Sequence, residues 1–425
     1  MKKIISLLQQ NDLDDSCGNN YPNTNSYSHY LGKNVVIGSS SFVIEEIIAE
    51  GGFGVVYRVK SNKNEYFALK RVCVNNQIDL SIIKREIIII SSINHKNIIK
   101  YMDSKVHEIH SGVYEILLLT TFYSDNLSNV IKEKNTRGTR LSEEEIIKII
   151  CDLTEAIARL HYCQTPIIHR DIKIENILID NHQNYVLCDF GSATSKVLSP
   201  SCHGHQRCQE EITRFTTMAY RAPEMIDLFT DKNSMVLGTQ TDIWALGVLS
   251  YCLCFLTLPF GDAGTLAIQS GVVHVPLDNV SDRLLKLISF MLTFDWKTRP
   301  DIFQVAWLAF ASVGKHSPIE NINNMKLPNF DDIPLKYNSC GHLILDHRND
   351  HSMPRDKTTR ENGHISKPNE VKTGIQTPSD GPVKPEASRQ RPRPKSNGSF
   401  HNSSLMSFDK PAVENTNDPW SNNPW

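Results

Sequence analysis

No charge of one sign dominates this chain of 425 residues: 45 lysines and arginines face 47 aspartates and glutamates, a formal net charge of −2. That balance gives no general reason to expect nucleic acid or a membrane surface as a partner. Long hydrophobic runs are missing too. The longest, Val248 to Phe260, falls short of the roughly 20 residues that span a bilayer, and it reads as a buried helix. The apolar run Ile4 to Leu8 behind Met1-Lys2-Lys3 is too short for a signal peptide, and lysine at position 2 excludes N-myristoylation. None of the ten cysteines forms a CxxC pair, which reads as a reducing compartment. No internal repeat is present. The expectation is a soluble, cytoplasmic protein.

Composition divides the chain. Residues 1–41 are rich in Asn, Ser and Tyr and read as a poorly ordered polar extension. Residues 42–314 carry the apolar periodicity of a globular unit. Phe42-Val43-Ile44 and Val55 to Val59 bracket a Gly-rich turn and read as a hairpin. Tyr66 to Val72 and Ile116 to Thr121 read as further strands, with a helix over Leu80 to Ile90 between them. Ser142-Glu143-Glu144-Glu145 opens a helix with a capping pattern. Short strands follow at Ile177-Leu178-Ile179 and Val186-Leu187-Cys188, and helices dominate from Asp242 to about Gly314. Strands with one helix, then mostly helices, predict an α+β chain of two unequal lobes, 42–122 and 123–314. Residues 315–425 are rich in Pro, Asn, Ser and charge and read as a disordered tail.

Chemistry concentrates in motifs that follow one another in order. In Ala49-Glu50-Gly51-Gly52-Phe53-Gly54, glycines let a turn approach a triphosphate so that backbone N–H groups reach its oxygens. Alone it is a weak signal, since most Gly-rich turns are only turns. Lys70, in Phe67-Ala68-Leu69-Lys70, is either an edge lysine reaching into water or a cation for the α- and β-phosphates, held by Glu86 on the next helix. His169-Arg170-Asp171-Ile172-Lys173-Ile174-Glu175-Asn176 decides between them. Phosphoryl transfer needs a carboxylate beside the attacking hydroxyl, a cation for the transferring oxygens and a metal ligand nearby, and Asp171, Lys173 and Asn176 are of those types. Asp189-Phe190-Gly191 follows a short apolar strand, with Asp189 as a Mg²⁺ ligand and Phe190 packing inward. Thr217 is placed to hydrogen-bond near Asp171 and Lys173. Glu224 needs a buried cation, for which Arg299 is the candidate, and Asp242 is expected to brace the catalytic loop from a buried helix. ATP and Mg²⁺ are the cofactors these groups imply.

From about Phe42 to Gly314 the chain resembles the eukaryotic protein kinases and their bilobal fold. More narrowly it resembles the numb-associated kinase family, the group of adaptor-associated and cyclin-G-associated kinases. The narrower likeness rests on Ala49 to Phe53, Ala68 to Arg71, Val74-Asn75-Asn76, Lys84 to Ile87, His95 to Ile98, Cys188 to Thr194, Thr216 to Met225, Asp242 to Gly247 and Leu256 to Gly261. The resemblance implies serine/threonine specificity with a leaning to threonine, and substrates among endocytic adaptors. It also implies that Thr120 guards the back of an adenine pocket, that Thr121 and Tyr123 offer it backbone groups, and that Ile48, Val56, Ala68 and Leu178 sandwich the ring. Ala49 stands where the general loop pattern has its first glycine. Thr120 is smaller than the residue many relatives carry.

Weaker signals remain. Cys202, His203, His205 and Cys208 have a cramped zinc-like spacing, against which stands a mobile activation loop between Gly191 and Glu224. Asp418-Pro419-Trp420 and Asn423-Pro424-Trp425 place tryptophans in a polar tail. They resemble short anchors for clathrin-adaptor appendage domains, which implies peripheral association with coated membranes. The rival readings are a pseudokinase scaffold that binds adaptors through its tail and a kinase of small molecules or lipids. Retention of Lys70, Glu86, Asp171, Asn176 and Asp189 argues against the first, and the Thr217 to Glu224 segment against the second.

Overall fold

The structure is a computed structural model that describes residues 28–51, 54–228, 237–261, 264–276 and 280–345. The amino-terminal lobe is a six-stranded antiparallel sheet in the order β1-β2-β3-β4-β6-β5. Its strands are β1 (Asn34–Ile37), β2 (Ser40–Gly51), β3 (Gly54–Ser61), β4 (Tyr66–Val74), β5 (Tyr101–His110) and β6 (Val113–Thr121), and the helix α1 (Gln77–Ser91) lies between β4 and β5. Side chains alternate across the sheet. The register pairs Tyr57 with Leu69 and Leu69 with Leu119 on one face, where they join Phe42 and Ile44 in a buried core. It pairs Val56 with Lys70 and Ala68 with Thr120, so these stand on the other face. Val72 and Ile116, farther along that face, pack with Leu80 and Ile83 of α1. α1 is capped by Asn76, whose side chain accepts from the Asp79 N–H.

The helical lobe opens with β7 (Asp125–Asn126), α2 (Leu127–Thr136) and α3 (Glu143–His161). α3 starts where expected, with Ser142 and Glu145 forming a reciprocal capping box. β8 (Ile177–Ile179) and β9 (Tyr185–Leu187) complete a small sheet with β7. α4 (Pro200–His203), α5 (His205–Phe215) and α6 (Pro223–Ile226) follow, then α7 (Thr239–Phe255). α7 is buried from Thr241 to Phe255; a helix apolar on all sides is a core helix. α8 (Gly264–Ser270), β10 (Val272–Val273), α9 (Asp282–Met291), α10 (Ile302–Ser312) and β11 (Leu343–Ile344) complete the lobe. Among the described residues no helix is long and apolar enough to cross a membrane.

Two expected boundaries are corrected. Folded structure begins before residue 42: β1 pairs with β2, and the Tyr30 ring lies 4.1 Å beneath the Arg71 guanidinium while its hydroxyl accepts from Arg71 Nη2 at 2.9 Å. Folded structure also continues past residue 314. Residues 315–345 run along the helical lobe, β11 pairs with β10, Leu345 N–H donates to the Gly271 carbonyl at 2.7 Å, and Lys286 Nζ donates to the Phe330 carbonyl at 2.9 Å. Ile319, Phe330, Ile333, Leu343 and Leu345 of this polar stretch are buried, while Ile322, Leu327 and Tyr337 stay exposed. Average composition understates a segment that docks through a handful of spaced side chains.

Candidate active site

Lys70 stands on β4 and Glu86 on the buried face of α1, and the packing of α1 on the sheet brings them together. Lys70 Nζ donates to Glu86 Oε1 at 2.8 Å and reaches Asp189 Oδ1 at 3.5 Å. Burial pulls the Lys70 pKa down, but the two carboxylates more than reverse this and hold the ammonium charged. Lys70 in turn lowers the pKa of the Asp189 carboxyl, which stays ionised. Asp189 has φ 60°, in the left-handed region, a conformation that asparagine and aspartate tolerate better than most side chains. Phe190 is buried and meets His169 edge-to-face at 5.0 Å. The turn Phe190–Ser192 packs against α1, as the inward reading of Phe190 requires.

The loop from His169 to Asn176 is tied at both ends. Asp171 Oδ1 accepts from Thr217 Oγ1 at 2.6 Å, while Asp171 Oδ2 accepts from Asn176 Nδ2 at 3.0 Å and pairs with Lys173 Nζ at 2.9 Å. Lys173 Nζ also donates to Thr217 Oγ1 at 3.2 Å. Asp242, on α7, accepts the backbone N–H groups of His169 and Arg170 at 2.8 and 2.9 Å and lies 2.9 Å from His161 Nε2. Glu224 and Arg299 form a two-pronged buried pair at 2.7 and 2.9 Å. The contacts of Thr217, the Glu224–Arg299 pair and the brace from Asp242 meet the sequence expectation, whereas the bonds of Asp171 to Asn176 and Lys173 and the place of His161 go beyond it.

The donor set fits a hard cation. Asn176 spends its Nδ2 on the carbonyl and carboxylate of Asp171 at 2.8 and 3.0 Å, so its amide oxygen is the atom it could offer a cation together with the Asp189 carboxylate. One carboxylate and one amide oxygen suit Mg²⁺, which takes the rest of its oxygen ligands from phosphate and water. On the sheet above, Val56, Ala68, Lys70 and Thr120 share one face, Thr120 being buried. Ile48 is exposed on β2, and Leu178 is half-buried on β8. Thr121 N–H is committed to the Lys100 carbonyl at 3.1 Å, so its carbonyl is the backbone group it can offer a ligand. Tyr123 is half-buried. In the Gly-rich hairpin Ala49 pairs with Val56, Glu50 with Val55 and Gly51 with Gly54. Gly54, at φ 146°, has no room for a side chain: a Cβ there would sit 2.2 Å from the Arg71 carbonyl oxygen. Gly52 and Phe53 lie outside the described residues, as do Asp418, Pro419, Trp420, Asn423, Pro424 and Trp425.

Within the stretch from Gly191 to Glu224, residues 200–203 and 205–215 are helical, forming α4 and α5. Cys208, Ile212 and Phe215 are the buried residues of α5, at helical spacing, a signal readable in the sequence but masked there by the Cys/His cluster. Among the described residues no three His, Cys, Asp or Glu groups are placed to share a metal ion.

Residues 42–310 match the protein kinase domain as a family. The chain belongs to the protein kinase family. The kinase is 40% identical over 319 residues to Serine/threonine-protein kinase sel-5 of Caenorhabditis elegans, covering 74% of this chain and 29% of that protein. It is 34% identical over 321 residues to Actin-regulating kinase 1 of Saccharomyces cerevisiae, covering 73% of this chain and 49% of that one. A probable serine/threonine-protein kinase of Dictyostelium discoideum is 37% identical over 279 residues, 64% of this chain and 24% of its own length. The chain thus spans between 24% and 49% of the length of these relatives.

Proposed function

We propose that this kinase transfers the γ-phosphoryl group of ATP to serine and threonine hydroxyls of protein substrates, threonine favoured. The observation that carries the reading is the joined arrangement of Lys70, Glu86 and Asp189, with Asp171 tied to Lys173, Asn176 and Thr217. Lys70 holds the α- and β-phosphates, and Glu86 holds Lys70. Asp171 orients the acceptor hydroxyl and takes its proton, and Lys173 neutralises charge on the oxygens being transferred. Asn176 and Asp189 hold Mg²⁺, which when bound supplies charge neutralisation at the phosphates. Ile48, Val56, Ala68 and Leu178 enclose the adenine, Thr120 closes its back, Thr121 and Tyr123 meet its edge, and the 49–54 hairpin covers the phosphates. A scaffold without catalysis has no need of this full set of charged groups.

The finer reading places the kinase in the numb-associated family, acting on endocytic adaptor subunits at clathrin-coated membrane sites. Its support is the sequence likeness across both lobes and the two tail motifs. A proline beside each tryptophan lowers the cost of ordering a short anchor, and two anchors on one linker gain by avidity. The test is phosphorylation of a peptide array with labelled ATP and Mg²⁺, beside capture of the full chain by adaptor appendage domains. Label on serine and threonine peptides, and capture lost on Trp420→Ala with Trp425→Ala, are expected. Absence of label on every array peptide contradicts the catalytic reading, and equal capture of both proteins contradicts the anchors.

A further inference from the structure

The docked segment beyond Gly314 is joined to the helical lobe by a very short ladder. β10 and β11 pair at two positions, Val272 with Ile344 and Val273 with Leu343. A two-stranded ribbon of that length is marginal by itself. At one end the Leu345 N–H donates to the Gly271 carbonyl at 2.7 Å. At the other end the same register sets His274 opposite His342, and their rings meet edge-to-face with centroids 5.0 Å apart. Both backbones are pinned there. The Tyr251 hydroxyl of α7 donates to the His274 carbonyl. His342 closes the turn 338–342: its carbonyl accepts from the Asn338 N–H at 2.9 Å, and its own N–H donates to Asn338 Oδ1 at 2.9 Å. His274 is exposed and His342 half-buried, and among the described residues neither ring nitrogen has a hydrogen-bond or ion-pair partner. Two imidazoles on one tetrahedral zinc ion, with Zn–N bonds of about 2.0–2.1 Å, have ring centroids about 5 Å apart. The rings of His274 and His342 stand at that separation, so sharing an ion asks for rotation about side-chain torsions and no approach of the strands.

We propose that His274 and His342 form a binding site for a divalent transition-metal ion of the imidazole-binding class, zinc foremost, and that the ion clasps β11 to β10. Imidazole nitrogen selects such ions over Mg²⁺ and Ca²⁺, which take oxygen ligands. Among the described residues no third His, Cys, Asp or Glu joins the pair. Water therefore completes the coordination, and affinity falls below that of a four-ligand structural site, to a dissociation constant of about 1–100 μM. The two ligands come from strands far apart in sequence, so opening of the ribbon must release the ion. Bound metal then stabilises the docked segment by mass action.

The test uses the full chain in excess Mg²⁺, which fills oxygen sites and leaves imidazole to zinc. Zinc binding is measured by calorimetric titration of the wild type, His274→Gln, His342→Gln and Cys340→Ser, and hydrogen exchange is followed along residues 337–345. The wild type is expected to bind zinc in the range of about 1–100 μM, and each histidine variant to weaken that binding about tenfold or more. Cys340→Ser, which removes an exposed thiol close to His342 in sequence, is expected to bind as the wild type does. Zinc at about ten times its dissociation constant is expected to slow exchange along 337–345 about tenfold in the wild type, and to leave it unchanged in the histidine variants. Equal titration of the wild type and both histidine variants overturns the proposal. Loss of zinc binding in Cys340→Ser overturns it as well, since that marks a thiol site. Exchange along 337–345 that bound zinc leaves unaltered in the wild type overturns the clasp. Should neither histidine variant fold, X-ray absorption at the zinc edge of the wild type carrying one zinc per chain decides: nitrogen ligands at about 2.0 Å are expected, and sulfur among the ligands overturns the site.

Discussion

Asp242 Oδ1 accepts the backbone N–H of Arg170 at 2.9 Å, and Arg170 is held at φ 71°. A non-glycine residue in that left-handed region stores about 1–3 kcal/mol of strain and persists only when its surroundings hold it there. Asp242 does so from a side chain 1% exposed, accepting from His169 N–H and lying against His161 as well. Replacing Asp242 by alanine strands these donors in the core. We expect Asp242→Ala to lose about 3 kcal/mol or more of stability, read by urea unfolding of the chain. A loss below about 1 kcal/mol contradicts the bracing role.

Arg299 pairs with both oxygens of Glu224 and donates besides to the carbonyls of Thr293, Gln240 and Phe294, at 2.9, 2.9 and 3.1 Å. Its guanidinium lies 5.1 Å from the Trp244 ring, which stacks on Phe260. Glu224→Gln is expected to cost about 3–5 kcal/mol because it leaves a buried cation unpaired. Arg299→Lys is expected to do nearly as badly, since an ammonium cannot reproduce the fork. Thermal unfolding of each variant checks the pair, and a melting temperature equal to that of the wild type for either contradicts it.

The docked segment after Gly314 gives a third expectation. A chain ended at Leu345 keeps the side chains of Phe330, Ile333 and Leu343 in place, whereas one ended at Gly314 strips them from the helical lobe. Each fully buried side chain of this size contributes roughly 1.5–3 kcal/mol. The shorter chain is expected to unfold at markedly lower denaturant than the longer, and equal midpoints would show that the segment adds nothing.

Acid stability should show the mark of His95. Burial, with Lys96 and Arg159 nearby, lowers its pKa from 6.5 to about 4, and its Nδ1 accepts from the Asn97 N–H at 3.2 Å. The folded state therefore favours the neutral ring, and the unfolded state takes up the proton first as pH falls. The contribution is complete above about pH 6.5 and is lost progressively between there and about pH 4. His95→Gln should show a shallower fall in stability over that window, measured by urea unfolding at several pH values. Parallel curves for the two proteins contradict the assignment.

The juxtaposition of Lys70 with Glu86 and Asp189, and of Asp171 with Asn176, was legible in the sequence because these residues sit in short motifs with fixed order. The Glu224–Arg299 pair and the role of Asp242 were legible for the same reason. What escaped was structure without a one-sided apolar pattern. β5 is a sheet-edge strand with Met102, Val106 and Ile109 exposed, so it has no buried face to announce it. Tyr30 is fixed by an arginine far away in sequence, which no local pattern reveals. In α5 the spacing of Cys208, Ile212 and Phe215 was present, yet the pairing of Glu211 with Arg170 at 3.0 Å joins residues that no local pattern relates.

The central claim is that Asp171 serves the transfer itself while other residues bind the nucleotide. Its most direct test is single-turnover transfer from Mg·ATP to a threonine peptide by the wild type and by Asp171→Asn, with nucleotide affinity measured on both. The amide in that variant keeps the size of the side chain but cannot take a proton. Transfer is expected to fall about 10²–10⁴-fold, with affinity for ATP held within about threefold, because Lys70, Glu86 and Asp189 are untouched. A transfer rate in Asp171→Asn within a factor of about ten of the wild type would contradict the account.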